Sequence, residues 1–191
     1  MLNIDIVSVR LARAGTFGFA DMLNRLDVAL DESLSGASAM RLRQRILAQH
    51  PVALIDEFQD TSPVQLRIFD RLYRIADDDA SRVLLLIGDP KQAIYGFRGA
   101  DIYSYLGARQ ATAGRHCALG TNHRSTQALV GAVNGLFGAA ESRAGEGAFM
   151  FGSVATASAL PFVPVQARGR AERLVASGHE IAALTLAFDE P

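Results

Sequence analysis

Two short apolar runs that each end in acidic residues constrain the fold of this chain most strongly. The first, VALIDEF, spans residues 52–58, and the second, RVLLLIGD, spans residues 82–89. Short runs with almost no polar residue are typical of strands that are buried on both faces of a parallel sheet. The two runs therefore predict an α/β fold, and their acidic residues lie at the carboxyl ends of the strands, where such sheets bind ligands.

Helical patterns flank these runs, and a third strand pattern follows them. The apolar spacing predicts helices over residues 17–32, 40–49, 63–75, 100–110 and 125–137, with the loop SLSGAS between the first two. HCALGT, residues 116–121, predicts a further strand. Strand, helix, strand, helix, strand is the order of a parallel α/β sheet. Beyond residue 140, PFVPVQARG and EIAALTLAF predict strands and AERLVASG predicts a short helix.

Charge and cysteine content exclude several classes of protein. Cys117 is the only cysteine, so the chain has neither an internal disulfide nor a thiol cluster for zinc, and we expect this thiol to be buried. The formal net charge is −1, so any contact with nucleic acid has to come from a local site. No apolar run is long enough to cross a bilayer, and no signal-peptide pattern is present. These features predict a cytoplasmic protein without a membrane partner.

Asp56 and Glu57 form an acidic pair directly after the first predicted strand. This arrangement occurs where one carboxylate holds a nucleotide-bound Mg²⁺ and the next polarises an attacking water. A single carboxylate is enough for Mg²⁺, which keeps several of its waters. The alternative is that the pair only opens a loop, and the pair alone does not decide between them.

The second cluster follows the second strand and combines an amide, two aromatic rings and a cation. Gln92 can bridge a phosphate or its water, whereas Tyr95, Phe97 and Arg98 offer what single-stranded DNA needs. Bases stack on aromatic faces, and arginine contacts the phosphates. The alternative is that the two rings belong to the core and that Arg98 is a surface charge.

The third cluster, Asn122, His123 and Arg124, follows the third predicted strand. Arg124 can neutralise charge that develops on a transferred γ-phosphate. It can equally be a helix-start residue that pairs with a nearby carboxylate. Only the combination of the three clusters is specific.

In this combination the chain resembles the UvrD-like superfamily 1 helicases. LIDEFQDT is similar to helicase motif II, LLIGDPKQAIYGFRGADI to motif III and LGTNHRST to motif IV. Within the superfamily, a motif III with Lys91 and Gly99 is typical of the beta-subunit family of exodeoxyribonuclease V. The resemblance covers residues 15–165 and implies a partial RecA-like parallel sheet with flanking helices.

For the nucleotide site, the resemblance implies ATP and Mg²⁺ as cofactors. It implies that Asp56 binds the Mg²⁺ of MgATP, that Glu57 activates the hydrolytic water and that Gln92 senses the γ-phosphate. It also implies that Arg124 acts as an arginine finger. His123 departs from the family pattern, because these helicases usually have Tyr or Trp stacked near the adenine at this position.

For partners, the resemblance implies single-stranded DNA and duplex ends, together with the RecC and RecD subunits of a larger complex. Tyr95, Phe97 and Arg98 are the implied DNA-facing residues. The implied function is ATP-driven translocation on single-stranded DNA during double-strand break repair and recombination. A repair helicase without a nuclease and a non-catalytic scaffold that binds DNA or partner subunits are the alternatives.

The phosphate-binding loop GxxxxGK[ST] of such ATPases does not occur in these 191 residues, because the only lysine is Lys91. The same count excludes the acid-x-Lys signature of the associated nuclease. We therefore expect a piece of a longer protein, inactive in isolation and with exposed apolar surfaces. Residues 1–113 would be the C-terminal part of the first RecA-like domain. Residues 114–191 would be the start of the second domain and the entry to its insertion.

Overall fold

The structure is a computed structural model that describes residues 17–143, 147–151, 159–169 and 175–180. The chain divides into two compact units, Met1–His116 and Cys117–Pro191. The described part of the first unit contains α1 (Phe19–Ala29), α2 (Glu32–Gln49), β1 (Val52–Ile55), α3 (Pro63–Tyr73), β2 (Val83–Leu86) and α4 (Ile102–Ala111). The described part of the second contains β3 (Thr121–Asn122), α5 (Gln127–Glu141), β4 (Gln166–Ala167), β5 (Val175–Ala176) and β6 (His179–Glu180).

Strands β1 and β2 of the first unit pair in parallel. Val52 lies opposite Val83, and Ile55 lies opposite Leu86. Helix α3 connects the two strands and begins in a capping box, in which Ser62 and Gln65 satisfy each other's backbone N–H groups. The predicted α/β architecture, parallel strands with flanking helices, is confirmed.

The core of the first unit lies between its helices and one face of the strand pair. Leu30, which caps the C-terminus of α1, is buried together with Ile68, Leu72 and Tyr73 of α3. Partly buried side chains of α1, α2 and both strands pack against this cluster, among them Leu23, Leu26, Leu42, Ile46, Ala53 and Leu84. The helical spacing of these apolar residues therefore matches the face that they bury.

The opposite face of the strand pair is exposed. Val52, Leu54, Val83 and Leu85 alternate with the core-facing residues, and each exposes between 42 and 62% of its surface. The prediction of strands buried on both faces is thus wrong for this chain. The reason is that burial depends on what covers the sheet, and within the described residues the core lies against one face only.

Helix α2 begins earlier than the sequence pattern predicts. The predicted loop SLSGAS is helical, with one break at Gly36, whose φ of 50° and ψ of −131° are not helical. Two features explain the early start. Asp31 caps the helix by accepting the N–H of Ser33, and the side chain of Ala39 is fully buried. A glycine absorbs the break because it tolerates positive φ.

Ion pairs join α1 to α3. Asp27 is 8% exposed and accepts hydrogen bonds from both Arg67 and Arg71. Arg71 also pairs with Asp31 at 2.8 Å. The hydrogen bond from Arg71, with that from Ser33, holds the pKa of Asp31 well below the usual range of an aspartate. These contacts fix the helix pair beneath the strands.

The second unit departs from the sequence prediction in several places. Of HCALGT only Thr121 is in a strand; β3 pairs in parallel with β4 and is not a third strand beside β2. Cys117, expected to be buried, is exposed. The predicted strand PFVPVQARG contributes only β4, and EIAALTLAF lies outside the described residues after position 180.

The predicted short helix AERLVASG is also wrong where the structure describes it. Strands β5 and β6 form an antiparallel hairpin, joined by Ser177 with a φ of 52° and Gly178 with a φ of 80°. Two consecutive residues with positive φ make the type of two-residue turn that matches the twist of paired strands. Across the ranges that the structure describes, no helix is both long and apolar enough to cross a membrane.

Candidate functional site

The carboxyl end of β1 presents Asp56 and Glu57 to solvent. The Asp56 Oδ1 accepts the backbone N–H of Glu57 at 2.9 Å. Glu57 itself has a φ of 50° and a ψ of 41°, a left-handed conformation that costs a non-glycine residue about 1–2 kcal/mol. Strained backbone of this kind is concentrated at functional sites, where the surrounding structure holds it in place.

A short 3₁₀ turn, Phe58–Asp60, follows Glu57 and anchors the strand end. The N–H of Phe58 donates to the carbonyl of Ile87 at 2.8 Å, which extends the contact between the two strands. The buried ring of Phe58 lies 5.8 Å from the ring of Tyr105 in α4, and burial raises the pKa of Tyr105. The turn is therefore held from both the sheet and α4.

Gln59, in the same turn, bridges the ends of the two strands. Its side-chain Nε2 donates to the Oε2 of Glu57 at 2.7 Å, and its Oε1 accepts the backbone N–H of Asp89 at 3.0 Å. A Cβ at Gly88 would lie 2.6 Å from that Oε1. Glycine at position 88 is thus what allows the glutamine to occupy this position.

Asp89 connects the bridge to Gln92. Its carboxylate caps the turn Pro90–Gln92 by accepting the N–H of Lys91 at 3.0 Å, and it accepts the Nε2 of Gln92 at 3.0 Å. Glu57 and Gln92 are thereby linked through Gln59 and Asp89. The first two sequence clusters lie at the same end of the parallel strand pair.

The loop between Asp89 and Asp101 carries the candidate DNA-facing residues. The rings of Tyr95 and Phe97 lie 5.9 Å apart, and the two residues are 36 and 78% exposed. The alternative that both rings are core residues is therefore wrong. Arg98 ends the short turn Gly96–Arg98, and its side chain lies outside the description.

Both ends of this loop are bonded to the turn after β1. At its start, the N–H of Asp89 donates to Gln59. At its end, the N–H of Asp101 approaches the carbonyl of Thr61 at 3.4 Å, and the Asp101 carboxylate caps α4 through the N–H of Ser104. A displacement of this turn would therefore pull on the loop between Asp89 and Asp101 at both of its ends.

The second unit holds the third cluster by itself. Asn122 Oδ1 accepts the N–H groups of Arg124 and Ser125, which fixes the chain as it leaves β3. The Nδ1 of His123 lies 3.3 Å from an Nη of Arg168. The backbone N–H of Arg168 donates to the backbone carbonyl of Asn122. The structure thus places His123 and Arg124 in one turn, with Arg168 beside it.

Sequence reasoning missed Gln59 and Arg168. Gln59 bonds to a residue 30 positions away, and Arg168 to one 45 positions away. No local spacing marks such contacts. The one usable signal was Gly88, a glycine at the end of an apolar strand, which is typical of a close approach by another group.

A family model of the UvrD/REP helicase N-terminal domain matches residues 4–113. The chain belongs to the UvrD/REP helicase family. The resemblance that the three motifs indicated is thereby confirmed. The match ends near the boundary between the two compact units.

Among relatives in this helicase family, the chain is similar to subunit RecB of the RecBCD enzyme. It is 46% identical to the Escherichia coli K12 protein over 170 residues, which are 89% of this chain and 13% of that relative. It is 47% identical to the Mycolicibacterium smegmatis protein over 124 residues, 65% of this chain and 10% of that relative. The chain therefore spans about an eighth of the length of its E. coli relative.

Proposed function

We propose that this chain is part of an ATP-dependent DNA helicase and that its first unit contributes groups for ATP hydrolysis. The observation that carries the proposal is a chain of hydrogen bonds that joins side chains at the carboxyl ends of β1 and β2. There Glu57 is bonded through Gln59 to Asp89, which holds Gln92. Because a scaffold needs no such arrangement of carboxylate and amide groups, the geometry favours a working ATPase.

Asp56 fits the role of a Mg²⁺ ligand. It is an exposed carboxylate at a strand end, and one oxygen is oriented by the N–H of Glu57. No group of three His, Cys, Asp or Glu side chains that could hold a metal occurs in the described ranges. Mg²⁺ usually takes one or two carboxylates from a protein and completes its shell with waters and substrate phosphates. When bound, Mg²⁺ neutralises charge on the β- and γ-phosphates.

Glu57 is proposed to activate the water that hydrolyses ATP. The water oxygen forms a bond to the γ-phosphorus while the bond from that phosphorus to the bridging oxygen breaks. Glu57 accepts the proton that the water loses, and ADP leaves with the bridging oxygen. Gln92 is proposed to sense the γ-phosphate from the neighbouring strand end.

The two compact units are proposed to belong to two RecA-like motor domains, with the division near residues 113 and 114. The order of the motifs along the chain and the family match over residues 4–113 support this assignment. Arg124 is proposed as the arginine finger. His123 is proposed to lie near the adenine, and its contact with Arg168 supports a polar environment there.

The exposed rings of Tyr95 and Phe97, with Arg98, are proposed to contact single-stranded DNA. Exposed aromatic faces are the groups on which bases stack, independently of sequence. Because the loop that carries them is bonded at both ends to the turn after Glu57, a change at the nucleotide site can reach the DNA contacts. Coupling of this kind is what a translocating motor requires.

The whole protein is proposed to be the helicase and nuclease subunit of an exodeoxyribonuclease V. Its similarity to RecB supports this role in double-strand break repair and recombination. Its partners would be DNA ends and subunits equivalent to RecC and RecD, and work on chromosomal DNA would place it in the cytoplasm. A UvrD- or Rep-type helicase without a nuclease remains the second candidate, because the family match covers the motor motifs alone.

The test is to read the gene on both sides of this segment and to assay the full-length product. We expect a GxxxxGK[ST] loop upstream, an acid-x-Lys signature downstream and ATP hydrolysis stimulated by single-stranded DNA. The isolated chain should show neither ATP hydrolysis nor DNA degradation. A degenerate loop with no ATPase activity in the full-length protein would instead favour the scaffold. Mg²⁺-dependent hydrolysis by the isolated chain that Glu57→Gln abolishes would contradict its expected inactivity.

A further inference from the structure

Gln59 is almost completely buried, whereas glutamine side chains in proteins are mostly exposed. It is 1% exposed, although Glu57, two residues earlier, is open to solvent. Burying an amide is costly unless its hydrogen bonds are satisfied. Here both ends of the amide are used, one by Glu57 and one by Asp89.

The chemistry of the two partners fixes the orientation of the amide. An ionised carboxylate only accepts hydrogen bonds, and a backbone N–H only donates. The Nε2 of Gln59 must therefore face Glu57, and its Oε1 must face Asp89. Reversing the amide would lose both bonds and create two repulsive contacts. Glutamine is thus matched to this position in length and in the order of its two polar atoms.

The hydrogen bond from Gln59 holds the side chain of Glu57, whose backbone is in an unusual conformation. Glu57 adopts the left-handed region, and its carboxylate is held at Oε2 by a 2.7 Å hydrogen bond. A carboxylate that abstracts a proton from water works best when its rotamer is fixed before the reaction. Because Glu57 remains exposed, the held carboxylate can still meet a water.

We propose that Gln59 is a positioning residue that orients Glu57 for water activation and keeps it in register with Asp89 and Gln92. This inference rests on the proposed ATPase function. Asp89 receives the other end of the amide and holds Gln92, so one side chain sets the spacing between the two predicted catalytic groups. Gly88 serves the same arrangement by leaving room for the Gln59 oxygen.

The test uses Gln59→Met in the full-length protein, since methionine is similar in length and forms neither hydrogen bond. We expect kcat for ATP to fall about 10- to 100-fold, the effect of losing a hydrogen bond to a charged group. The KM for ATP should stay within about threefold, because Asp56, the proposed Mg²⁺ ligand, is untouched. Gln110→Met, the same change on the exposed surface of α4, is the matched control and should leave both constants unchanged.

A second variant covers the case in which the methionine protein does not fold. Gln59→Glu keeps the size of the side chain and an acceptor for the N–H of Asp89, but it replaces the donor to Glu57 by a like charge. We expect its kcat to fall at least as far as that of the methionine variant. Unchanged kcat in the folded variants would overturn the inference.

A double-mutant cycle separates positioning from general damage to the fold. In single-turnover assays, Gln59→Met should slow hydrolysis in the wild type but have less than about a twofold effect in a Glu57→Gln background. An equal loss in both backgrounds would mean that Gln59 does not act through Glu57, and the inference fails. If Glu57→Gln alone retains normal turnover, the proposed function fails instead, so the two failures are distinguishable.

Discussion

The side-chain amide of Gln92 donates a hydrogen bond to the Oδ2 of Asp89 over 3.0 Å. The bond holds a predicted γ-phosphate sensor at the end of β2, in a turn that Asp89 also caps. Gln92 is exposed, so it can exchange this partner for a phosphate or its water.

We expect Gln92→Ala to lower the kcat of ATP hydrolysis in the full-length protein. Losing one hydrogen bond to a charged group corresponds to about a 10- to 100-fold decrease. Steady-state ATPase assays with saturating single-stranded DNA measure it. Gln110→Ala, the same change on an exposed position of α4, should have less than about a twofold effect. Equal activity of the two variants would remove Gln92 from the mechanism.

The strands and helices near this site could be predicted from sequence because their signals are local. VALIDEF and RVLLLIGD predict strands from their own residues, and the apolar spacing over residues 63–75 predicts helix α3. The early start of α2 was missed because the buried Ala39 depends on tertiary contacts. The exposed face of the strands was missed for a related reason, since burial is a property of neighbouring elements.

The candidate site was predictable only in part. The positions of Asp56 and Asp89 at adjacent strand ends follow from the order of elements in a parallel sheet. The bridge from Glu57 to Asp89 does not, because Gln59 connects the turn after β1 to a residue 30 positions later. A packed polar side chain of this kind leaves no periodic signal in the sequence.

Gly88→Ala should destabilise the first unit. The added Cβ would lie 2.6 Å from Gln59 Oε1 and 3.1 Å from the backbone nitrogens of Phe58 and Gln59, so the turn has to shift. We expect a loss of about 1–3 kcal/mol in the free energy of unfolding. Urea denaturation followed by tyrosine fluorescence reports on this unit, because the chain has no tryptophan and its four tyrosines precede residue 117.

Gly107→Ala is the control of opposite sign. Gly107 lies within α4, and a Cβ there meets nothing within 4 Å. Alanine should stabilise the helix by about 0.5–1 kcal/mol. If both alanine variants changed stability by the same amount, the close approach at Gly88 would have no energetic consequence.

Removing the charge of Asp31 should produce a pH-dependent loss of stability. The hydrogen bond from Arg71, with that from Ser33, holds the pKa of this carboxyl below its ordinary value of about 3.9. A depressed pKa contributes stability that is fully present above about pH 4, and that stability is lost as the pH falls through the folded-state pKa. Asp31→Asn keeps a good N-cap for α2, so it isolates the charge.

The measurement compares the unfolding free energy of wild type and Asp31→Asn at pH 7 and at successive steps below pH 4. The wild type should be more stable at pH 7, and the difference should shrink as the pH falls. Asp78→Asn, at an exposed loop position, should follow the wild type throughout. A difference that is constant with pH would mean that the ion pair with Arg71 is not its source.

Tyr95→Ala and Phe97→Ala should each weaken binding of single-stranded DNA by the full-length protein. Base stacking on an aromatic ring is worth about 1–3 kcal/mol, so the expected increase in Kd is about 5- to 150-fold. Fluorescence anisotropy with a labelled oligonucleotide at fixed salt measures it. Phe19→Ala is the control, because Phe19 is 70% exposed on α1, away from the loop in sequence. Unchanged affinity in both loop variants would exclude the loop from the DNA site.

The most direct test of the central claim is single-turnover hydrolysis and ATP binding by Glu57→Gln in the full-length protein. The variant keeps the size of the side chain and removes the carboxylate that we propose accepts the proton of water. Loss of a general base predicts a rate of hydrolysis at least about 100-fold lower. The affinity for MgATP should stay within about threefold, because Asp56 is unchanged. Hydrolysis at the wild-type rate would contradict the role of Glu57 and, with it, the account of this site.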